Sequence, residues 1–246
     1  MDTNKKIPKK IHYCWLGGNE KSDLVKKCIE SWKVFAPDYE IIEWNESNFN
    51  LEDTNEYVKE AIEKKKWAFV TDYMRLVILY NNGGIYFDTD VELKRNINEF
   101  LYEESFLCME SLNTVCTAVI GSKEKASWIG EIINLYDNRK FIMSNGNMDM
   151  TPNSQYIYEF LRDKYNLKND NKLNVLSCGL KVYPSEYFSP KNYSTMKMNI
   201  TKNTYAIHHY GGMWKSTFSK TKDYILAIIT RIIGEKNREI LKCKLK

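Results

Sequence analysis

The chain has 246 residues, with 36 Lys and Arg against 32 Asp and Glu, and a net charge of +4. Hydrophobic residues make up 43% of it and aromatic residues 13%, which is enough for one sizeable core and excludes an intrinsically disordered chain. Only three histidines occur, which excludes a His-rich metal site, and the six cysteines include no Cys-x-x-Cys pair. We expect reduced, mostly buried thiols in a soluble, cytoplasmic chain.

The positive charge is concentrated at the carboxyl end. Residues 220–246 contain eight Lys or Arg and three acidic residues, a net charge of +5, which leaves a net charge of −1 on residues 1–219. Nucleic-acid binding requires a basic face on the body of a protein, so we exclude it. The sequence also lacks a run of about 20 apolar residues and an apolar stretch behind its basic amino terminus, so it predicts neither a membrane span nor a signal peptide.

Strands and helices are predicted to alternate along the first half of the chain, where β-formers and residues at helical spacing follow one another. The predicted strands there are 10–15, 39–44 and 85–87, and the predicted helices are 24–35, 55–65 and 68–80. The less regular second half is predicted to contain strands at 105–110, 116–121, 175–183 and 204–210, and helices at 127–136 and 154–165. This alternation favours an α/β fold with a parallel-rich sheet and ligands at the carboxyl ends of its strands.

Two carboxylates, Asp88 and Asp90, follow the third predicted strand. Because side chains alternate along a strand, both carboxylates are expected on one side, where they can hold a hard divalent cation together with water or phosphate. Such a cation would stabilise the diphosphate of a departing nucleotide. An Asp-x-Asp pair is weak evidence by itself, so its interpretation depends on the surrounding residues.

Asp72 and Arg75 lie three residues apart on a predicted helix and therefore share one of its faces. They form either a surface ion pair or a site in which Asp72 accepts hydrogen bonds from sugar hydroxyls and Arg75 contacts phosphate or sugar. Trp15, at the end of the first strand, also has two interpretations. It either packs in the core or offers the face of its ring to a nucleobase.

A second strand-to-loop segment, near the carboxyl end, contains His208 and His209 followed by Gly211, Gly212 and Lys215. An imidazole here can supply a third metal ligand, the glycines allow backbone to approach phosphate, and the lysine adds positive charge. Adjacent side chains on a strand point to opposite sides, so at most one of the two histidines is expected to be a ligand. The alternative is a packed histidine beside an exposed one.

Four stretches of the chain together resemble a known family. They read IPKKIHYCWLGG, WAFVTDYMR, YNNGGIYFDTDVE and IHHYGGMWKS. In this order they resemble the DXD-sugar-binding glycosyltransferases of glycosyltransferase family thirty-two, which include capsular polysaccharide and mannosyltransferase-like enzymes. They also share the Trp-x-Gly-Gly, Asp-x-x-Arg and Asp-x-Asp pattern of the large clostridial toxin glucosyltransferases. The resemblance implies a GT-A fold, a Rossmann-like α/β domain that binds a nucleotide sugar, here over residues 1–219. The apolar residues that recur at helical spacing among lysines near the carboxyl end predict a basic amphipathic helix over 220–246.

The resemblance also implies roles for individual residues. The catalytic residues would be Asp72, Arg75, Asp88 and Asp90. A Mn²⁺ or Mg²⁺ ion would be held by Asp88, Asp90 and His209, which is preferred over His208 because Gly and Lys follow it at the spacing of the family-eight galactosyltransferases. The donor-binding residues would be Trp15, Leu16, Gly17, Asp72, Arg75, Tyr86, Asp88, Thr89, Asn153, Gly212, Trp214 and Lys215. Two departures are Met213, where the family usually has serine, and the region around Asn153, which matches only loosely.

The activity that the resemblance implies is retaining hexosyl transfer from a nucleotide-sugar donor, a UDP-sugar, to a saccharide or lipid-linked saccharide acceptor in surface polysaccharide synthesis. Front-face attack would require no dedicated general base. The one residue that could serve as such a base is Glu110. One alternative is a haloacid-dehalogenase-type phosphatase, which needs a downstream acidic pair, but no two aspartates are adjacent after Asp90. Another is a non-catalytic sugar-binding module. The basic helix either contacts an anionic membrane peripherally, at its inner face, or packs on the body or on a second subunit.

Overall fold

The computed structural model describes residues 4–212 and 217–234. The helices are α1 (Asp23–Phe35), α2 (Glu56–Glu63), α3 (Trp67–Asn82), α4 (Ser127–Tyr136), α5 (Asn153–Tyr165) and α6 (Thr217–Ile233). The strands are β1 (Lys10–Cys14), β2 (Glu40–Trp44), β3 (Gly84–Phe87), β4 (Val91–Leu93), β5 (Ser105–Ser111), β6 (Thr114–Ser122), β7 (Asn174–Val175), β8 (Leu180–Tyr183) and β9 (Ala206–His208). The elements predicted in the first half are confirmed to within two residues at each end, except that β4 was not predicted.

Seven strands form one mixed sheet in the order β2-β1-β3-β6-β5-β8-β7. Strand β1 pairs in parallel with β2 and β3, and β5 pairs in parallel with β8, whereas β6 runs antiparallel between β3 and β5. Strands β4 and β9 form a separate antiparallel pair. The α/β fold with a central sheet is therefore confirmed, but the sheet is mixed, with three parallel and three antiparallel pairings, and is not parallel-rich as predicted. The strand predicted over 175–183 is two short antiparallel strands, β7 and β8.

Buried side chains form one apolar cluster on each face of this sheet. Along β5, Phe106 and Cys108 belong to one cluster and Leu107 and Met109 to the other, as the alternation of a strand requires. Helices α2 to α5 cover the Leu107 face, whereas α1, β4 and β9 cover the Phe106 face. Each fully buried Leu or Met side chain contributes about 1.5–3 kcal/mol of hydrophobic stabilisation. The sheet is thus fixed from both sides.

Helix α1 fixes the position of β4. The side chain of Ser22 accepts a hydrogen bond from the Val25 amide and caps the start of the helix. Further along α1, the Trp32 indole N–H donates to the Val91 carbonyl at 2.7 Å, and the Leu93 amide donates to the Ser31 hydroxyl at 2.9 Å. Both ends of β4 are therefore attached to α1, directly after the Asp-x-Asp segment.

The turn from α3 into β3 depends on two glycines packed against a buried histidine. Gly83 and Gly84 have φ angles of +58° and +105°, and a Cβ on Gly84 would lie 2.8 Å from Nε2 of His12. The His12 ring accepts a hydrogen bond at Nδ1 from the Trp44 indole, at 3.1 Å, and donates from Nε2 to the Gly83 carbonyl, at 2.8 Å. This arrangement requires a neutral ring, and burial lowers the pKa of His12 to about 4.

Helix α6 leaves large apolar side chains in contact with solvent. Its side chains that are between 39% and 79% exposed are Tyr224, Ile225, Ile228, Ile229 and Ile232. Ala227 and Thr230 are buried instead, and Nε of Arg231 donates to the Thr195 carbonyl at 2.6 Å. The predicted tail residues after 234 lie outside the described residues. In the part of the chain that the structure describes, no helix combines the length and apolar character needed to span a bilayer.

Lowering the pH should weaken the fold through His12. The unfolded chain binds a proton at His12 with a pKa near 6.5, whereas the folded chain binds it only near pH 4, so stability is lost as the pH falls through this window. We expect wild type to lose about 2–3 kcal/mol more than the His12→Gln variant between pH 7 and pH 4.5, measured by urea unfolding. Other titrating groups affect both proteins equally. Parallel pH profiles for the two proteins would contradict the neutral, buried ring.

Candidate functional site

Polar side chains meet at the carboxyl ends of β1 and β3. These strands are parallel neighbours, so Trp15, directly after β1, and Asp88, directly after β3, lie at the same edge of the sheet. The chain turns after β3, because the Val91 amide donates to the Asp88 carbonyl at 3.0 Å. The alternation expected for a continuing strand therefore does not apply to Asp88 and Asp90, and the turn brings their carboxylates together instead.

A buried guanidinium connects α3 with this edge. Arg75 is 4% exposed, and its Nη2 atom lies 2.7 Å from Oδ1 of Asp72 and 3.3 Å from Oδ1 of Asp88. Its Nη1 atom donates to the Thr117 carbonyl at 2.7 Å, and its Nε atom donates to the Thr71 carbonyl at 3.3 Å. Burial alone would lower the pKa of Arg75, but the neighbouring carboxylates outweigh it and raise that pKa. The Asp72–Arg75 pair is therefore part of the interior and not a surface ion pair.

Tyr86 supports the same arrangement from β3. Its ring lies 4.8 Å from the guanidinium carbon of Arg75, within the range of a cation–π contact. Its hydroxyl donates to Oδ1 of Asp88 at 3.2 Å. Thr89, the residue between the two aspartates, is half-buried at the same edge. Tyr86 and Arg75 thus both contact Oδ1 of Asp88 and fix the position of its carboxylate.

Asn153 lies beside Asp72. From the first turn of α5, its Nδ2 atom donates to the Asp72 carbonyl at 3.3 Å, and its Oδ1 atom accepts from the Tyr136 hydroxyl at 3.4 Å. Asn153 is 3% exposed, whereas the Asp72 side chain keeps 16% of its surface exposed. Burial raises the pKa of Asp72 to about 6, although Arg75 opposes this shift. The structure therefore brings these two predicted residues together.

The pairing of β4 with β9 brings a histidine to Asp90. Val91 lies opposite His208 in this pairing, and Nε2 of His208 is 3.5 Å from Oδ1 of Asp90. The other carboxylate oxygen of Asp90 accepts from the Gly211 amide at 2.6 Å. Ligand atoms of Asp88, Asp90 and His208 all lie within 4.8 Å of one another. Two carboxylates and one imidazole fit a divalent cation such as Mn²⁺.

His209, the ligand that the sequence spacing favoured, faces away from this cluster. Its Nε2 atom lies 2.8 Å from Oε2 of Glu92, and the same carboxylate is paired with Lys27 and Lys94. Burial by itself would raise the pKa of Glu92, but the hydrogen bonds from Lys27, His209 and Lys94 lower it to about 2. The two histidines thus point to opposite sides, as expected, and His208 is the one at the aspartates.

The remaining predicted residues lie around the same edge or outside the described residues. The Trp15 indole N–H donates to the Asn19 carbonyl at 2.8 Å, which leaves its half-buried ring beside Lys21 at 5.3 Å. Leu16 packs against the α2–α5 core cluster, and Gly17 and Gly212 have φ angles of +83° and +54°. Trp214 and Lys215 lie outside the described residues, so their predicted roles stay predictions.

Sequence reasoning named Glu110 only as a candidate base and missed the group of side chains to which it belongs. The Tyr210 hydroxyl donates to Oε1 of Glu110 at 3.1 Å, and that oxygen lies 3.9 Å from Nδ1 of His208. Burial raises the pKa of Glu110 to about 7. Cys116, on the adjacent strand, belongs to the same group of side chains. The sequence signal for this hairpin was Asn113, which lies in the tight turn between the two predicted strands and has a φ of +66°. Such a turn specifies the register of the strands that it joins.

Comparison with known proteins connects this site with carbohydrate chemistry. Residues 22–107 match the family described as glycosyltransferase sugar-binding region containing DXD motif. This segment contains the Asp72–Arg75 pair and both aspartates of the Asp88–Asp90 turn.

Two curated relatives match about half of the chain. The inositol phosphoceramide mannosyltransferase 3 of Schizosaccharomyces pombe is 29% identical in an alignment of 130 positions that covers 47% of this chain and 33% of that protein. An uncharacterized glycosyltransferase of Acanthamoeba polyphaga mimivirus is 32% identical in an alignment of 130 positions that covers 48% of this chain and 50% of that protein. The matched region thus spans half or less of the length of each relative.

A solved structure shows a related fold. The PaToxG glycosyltransferase superposes with a TM-score of 0.53 at 17% sequence identity, covering 65% of this chain and 70% of that one. At this identity the likeness concerns the fold alone. Residues 22–107 thus match the sugar-binding region of DXD-containing glycosyltransferases, within a mixed α/β fold similar to that of the GT-A glycosyltransferases.

Proposed function

We propose that the chain is a metal-dependent, retaining glycosyltransferase. It moves a sugar from a nucleotide-sugar donor, a UDP-sugar, to a saccharide or lipid-linked saccharide acceptor in surface polysaccharide synthesis. The observation that carries this proposal is the meeting of Asp88, Asp90 and His208 at one edge of the sheet, beside the segment that matches the sugar-binding region. Residues 1–219 would form the catalytic domain and 220–246 its basic tail.

Mn²⁺ or Mg²⁺ would be held by Asp88, Asp90 and His208. His208 takes the place that the spacing gave to His209, because its ring lies beside Asp90 whereas the His209 ring is bonded to Glu92. An imidazole ligand favours Mn²⁺ over Mg²⁺, which prefers oxygen ligands. When bound, the cation supplies positive charge against the diphosphate that leaves with the nucleotide.

Asp72 and Asn153 would face the donor sugar, and Trp15 would stack on the uracil. The Asp72 carboxylate is held on one side by Arg75 and keeps an exposed edge that can accept hydrogen bonds from sugar hydroxyls. A buried acceptor of this kind discriminates between sugars, because a donor that lacks the matching hydroxyl leaves the carboxylate unpaired. The half-buried Trp15 ring at the end of β1 supports the stacking role.

Arg75 acts in this proposal as a positioning residue. Its guanidinium already contacts four oxygen atoms, two from carboxylates and two from backbone carbonyls. A guanidinium has five N–H groups, so nearly all of its hydrogen-bonding capacity is used inside the protein. Its effect on the donor is therefore exerted through Asp72 and Asp88, whose separation and orientation it fixes.

The leaving phosphate itself would accept the proton of the acceptor hydroxyl in front-face attack, so this route assigns no residue as general base. Gly211 and Gly212 would allow backbone to approach the diphosphate, and Trp214 and Lys215 would contact it. The match to a glycosyltransferase region favours this reaction over phosphatase chemistry. A non-catalytic sugar-binding module would hold the donor without releasing nucleoside diphosphate, and a donor-hydrolysis assay distinguishes the two.

Nucleoside diphosphate release should depend on a divalent cation and on Asp90. Across a panel of nucleotide sugars, we expect release with Mn²⁺, its loss on chelation, and a fall of at least about a hundredfold in the Asp90→Asn variant. His208→Ala should cause a comparable fall, whereas the matched variant His209→Ala should cause a much smaller one. Full turnover by Asp90→Asn would exclude the metal site, and equal losses in the two histidine variants would exclude His208 as its specific ligand.

Removing the Arg75 guanidinium should destabilise the fold in a pH-dependent way. Arg75→Met leaves two carboxylates unpaired near pH 8, and loss of one partner from a buried pair costs about 3–5 kcal/mol. The pKa of Asp72 is about 6 even beside Arg75, which lowers it. Without Arg75, the Asp72 carboxylate is therefore protonated at pH 5.5, and the loss of unfolding free energy should be smaller there. Urea unfolding of wild type and variant at both pH values measures this difference.

The control for this experiment is Arg162→Met. Arg162 pairs with Asp163 at the surface of α5, so its loss should leave stability unchanged at both pH values. If Arg75→Met destabilised the protein no more than Arg162→Met does, the buried network would have no role in holding the site.

Helix α6 would bring the enzyme to the inner face of an anionic membrane. Its isoleucines are exposed, while the surrounding segment carries the basic excess of the sequence. Apolar side chains inserted at the interface and basic residues near anionic headgroups act together in peripheral binding. The burial of Ala227 and Thr230, on the opposite side of α6, supports this proposal, because it leaves the isoleucine side exposed.

Replacing Ile225, Ile228, Ile229 and Ile232 with Ser should weaken co-sedimentation with anionic vesicles by roughly tenfold or more. The matched control is Leu112→Ser with Val175→Ser, which removes equally exposed apolar side chains elsewhere. Sedimentation velocity on the same proteins tests the competing role, in which this face binds a second copy. Undiminished vesicle binding by the fourfold variant would contradict the membrane contact.

A further inference from the structure

The structure assigns a second cation site, for a thiophilic ion such as Zn²⁺, to Glu110, Cys116 and His208. This site shares one imidazole ring with the Asp88–Asp90 pair. A cation in either site alone binds the neutral ring through one nitrogen, and filling both sites would release the remaining ring N–H proton to solvent. The inference goes beyond the glycosyl-transfer proposal, because the second site depends on the β5–β6 hairpin and not on any nucleotide sugar.

The three side chains come from three different strands. Glu110 lies near the end of β5, Cys116 lies in β6 and His208 ends β9. One ligand atom from each lies within 4.8 Å of the other two. Around one Zn²⁺ ion such atoms are about 3.3–3.8 Å apart, given bond lengths of about 2.0–2.3 Å and tetrahedral angles. Side-chain movements of about 1 Å would therefore complete the site.

The two nitrogens of the His208 ring face different surroundings. Nε2 lies 3.5 Å from Oδ1 of Asp90, whereas Nδ1 lies 3.9 Å from Oε1 of Glu110. Nδ1 is buried and has no hydrogen-bond partner among the described residues. An unsatisfied buried polar atom is costly, and it commonly marks a place that a ligand or ion occupies. A cation bound between Cys116 and Glu110 would use this free nitrogen.

The chemistry of the donor atoms selects the ion. Asp88 and Asp90 offer hard carboxylate oxygens, whereas the second set offers one thiolate, one imidazole and one carboxylate. Thiolate and imidazole ligands favour Zn²⁺ and Co²⁺ over Mg²⁺ and Mn²⁺. Three protein ligands with a fourth position open is a common arrangement for Zn²⁺.

Cys116 is buried but lies close to the active-site edge. It is fully buried and lies directly opposite Cys108 in the strand pairing. The Glu110 and His208 side chains keep 16% and 13% of their surface exposed, so an ion can reach the thiolate from the active-site edge.

Tyr210 keeps the other two ligands in place. Its hydroxyl donates to Glu110 at 3.1 Å and lies 3.0 Å from the Ser189 hydroxyl, and its ring centroid lies 4.1 Å from that of His208. Groups that orient metal ligands in this way strengthen binding, because less side-chain freedom is lost when the ion arrives.

Co²⁺ is the probe, because a cobalt–thiolate bond absorbs in the near ultraviolet where protein and free ion do not. We titrate the metal-free, full-length, reduced protein anaerobically. We expect a charge-transfer band whose final intensity corresponds to one cobalt–thiolate site per chain, with visible bands of a tetrahedral ion, and displacement of both by Zn²⁺. Co²⁺ bound at Asp88 and Asp90 adds nothing to the charge-transfer band, because no thiolate lies among the described ligands of that site. Cys116→Ser should abolish the band, whereas the matched control Cys108→Ser should keep it. Asp88→Asn should also keep it, because Asp88 is not among the three ligands.

Glu110→Gln provides a second, near-isosteric variant in case Cys116→Ser does not fold, which circular dichroism will show. It should lower the affinity for Co²⁺ by at least about tenfold. Absence of the band in wild type, its persistence in Cys116→Ser, or an unchanged affinity in Glu110→Gln would overturn the site. None of these measurements requires sugar transfer, so an inactive enzyme that still shows the cobalt–thiolate band would contradict the proposed function and leave this site intact.

Discussion

The buried guanidinium of Arg75 is the interaction on which the rest of the site depends. Two carboxylates that approach one group in a low-dielectric interior repel each other unless a cation lies between them. Arg75 supplies that charge and is itself fixed by two backbone carbonyls, one from its own helix and one from β6. Asp72 on α3 and Asp88 after β3 are therefore held at a set separation before any ligand arrives. The site is therefore preorganised: the free energy needed to bring like charges together comes from folding and not from ligand binding.

The elements around β4 hold this short strand in place, so that the residues beside it keep their positions in the site. Three residues form this strand, yet it is bonded to α1 on one side and to β9 on the other. Asp90, directly before it, has its side-chain oxygen and its backbone carbonyl engaged by the amides of Gly211 and His209. Functional groups on such elements keep their geometry better than groups on free loops.

The sequence predicted most of the sheet and the convergence of its motifs, because the first half of the chain follows local rules. Apolar periodicity and the Asn-Asn-Gly-Gly stop located α3 and β3 to within two residues. The spacing favoured His209 as the metal ligand, whereas the structure places His208 beside Asp90. Which histidine faces Asp90 depends on how β9 pairs with β4, and the three-residue β4 has no sequence pattern that predicts this pairing. The group around Glu110 and Cys116 was missed for a similar reason. The β5–β6 hairpin places Glu110 and Cys116 together, but the third member of the group, His208, comes from the distant strand β9.

The β4–β9 pairing has a consequence for how the protein is made. The ladder joins residues that are more than a hundred positions apart, since Val91 pairs with His208. Strands β1 to β8 leave the ribosome before β9, so a nascent chain can assemble its central sheet while the imidazole edge is still missing. The imidazole edge of the site is thus completed last, and the cation of the proposed function would be acquired only after the final strand has docked.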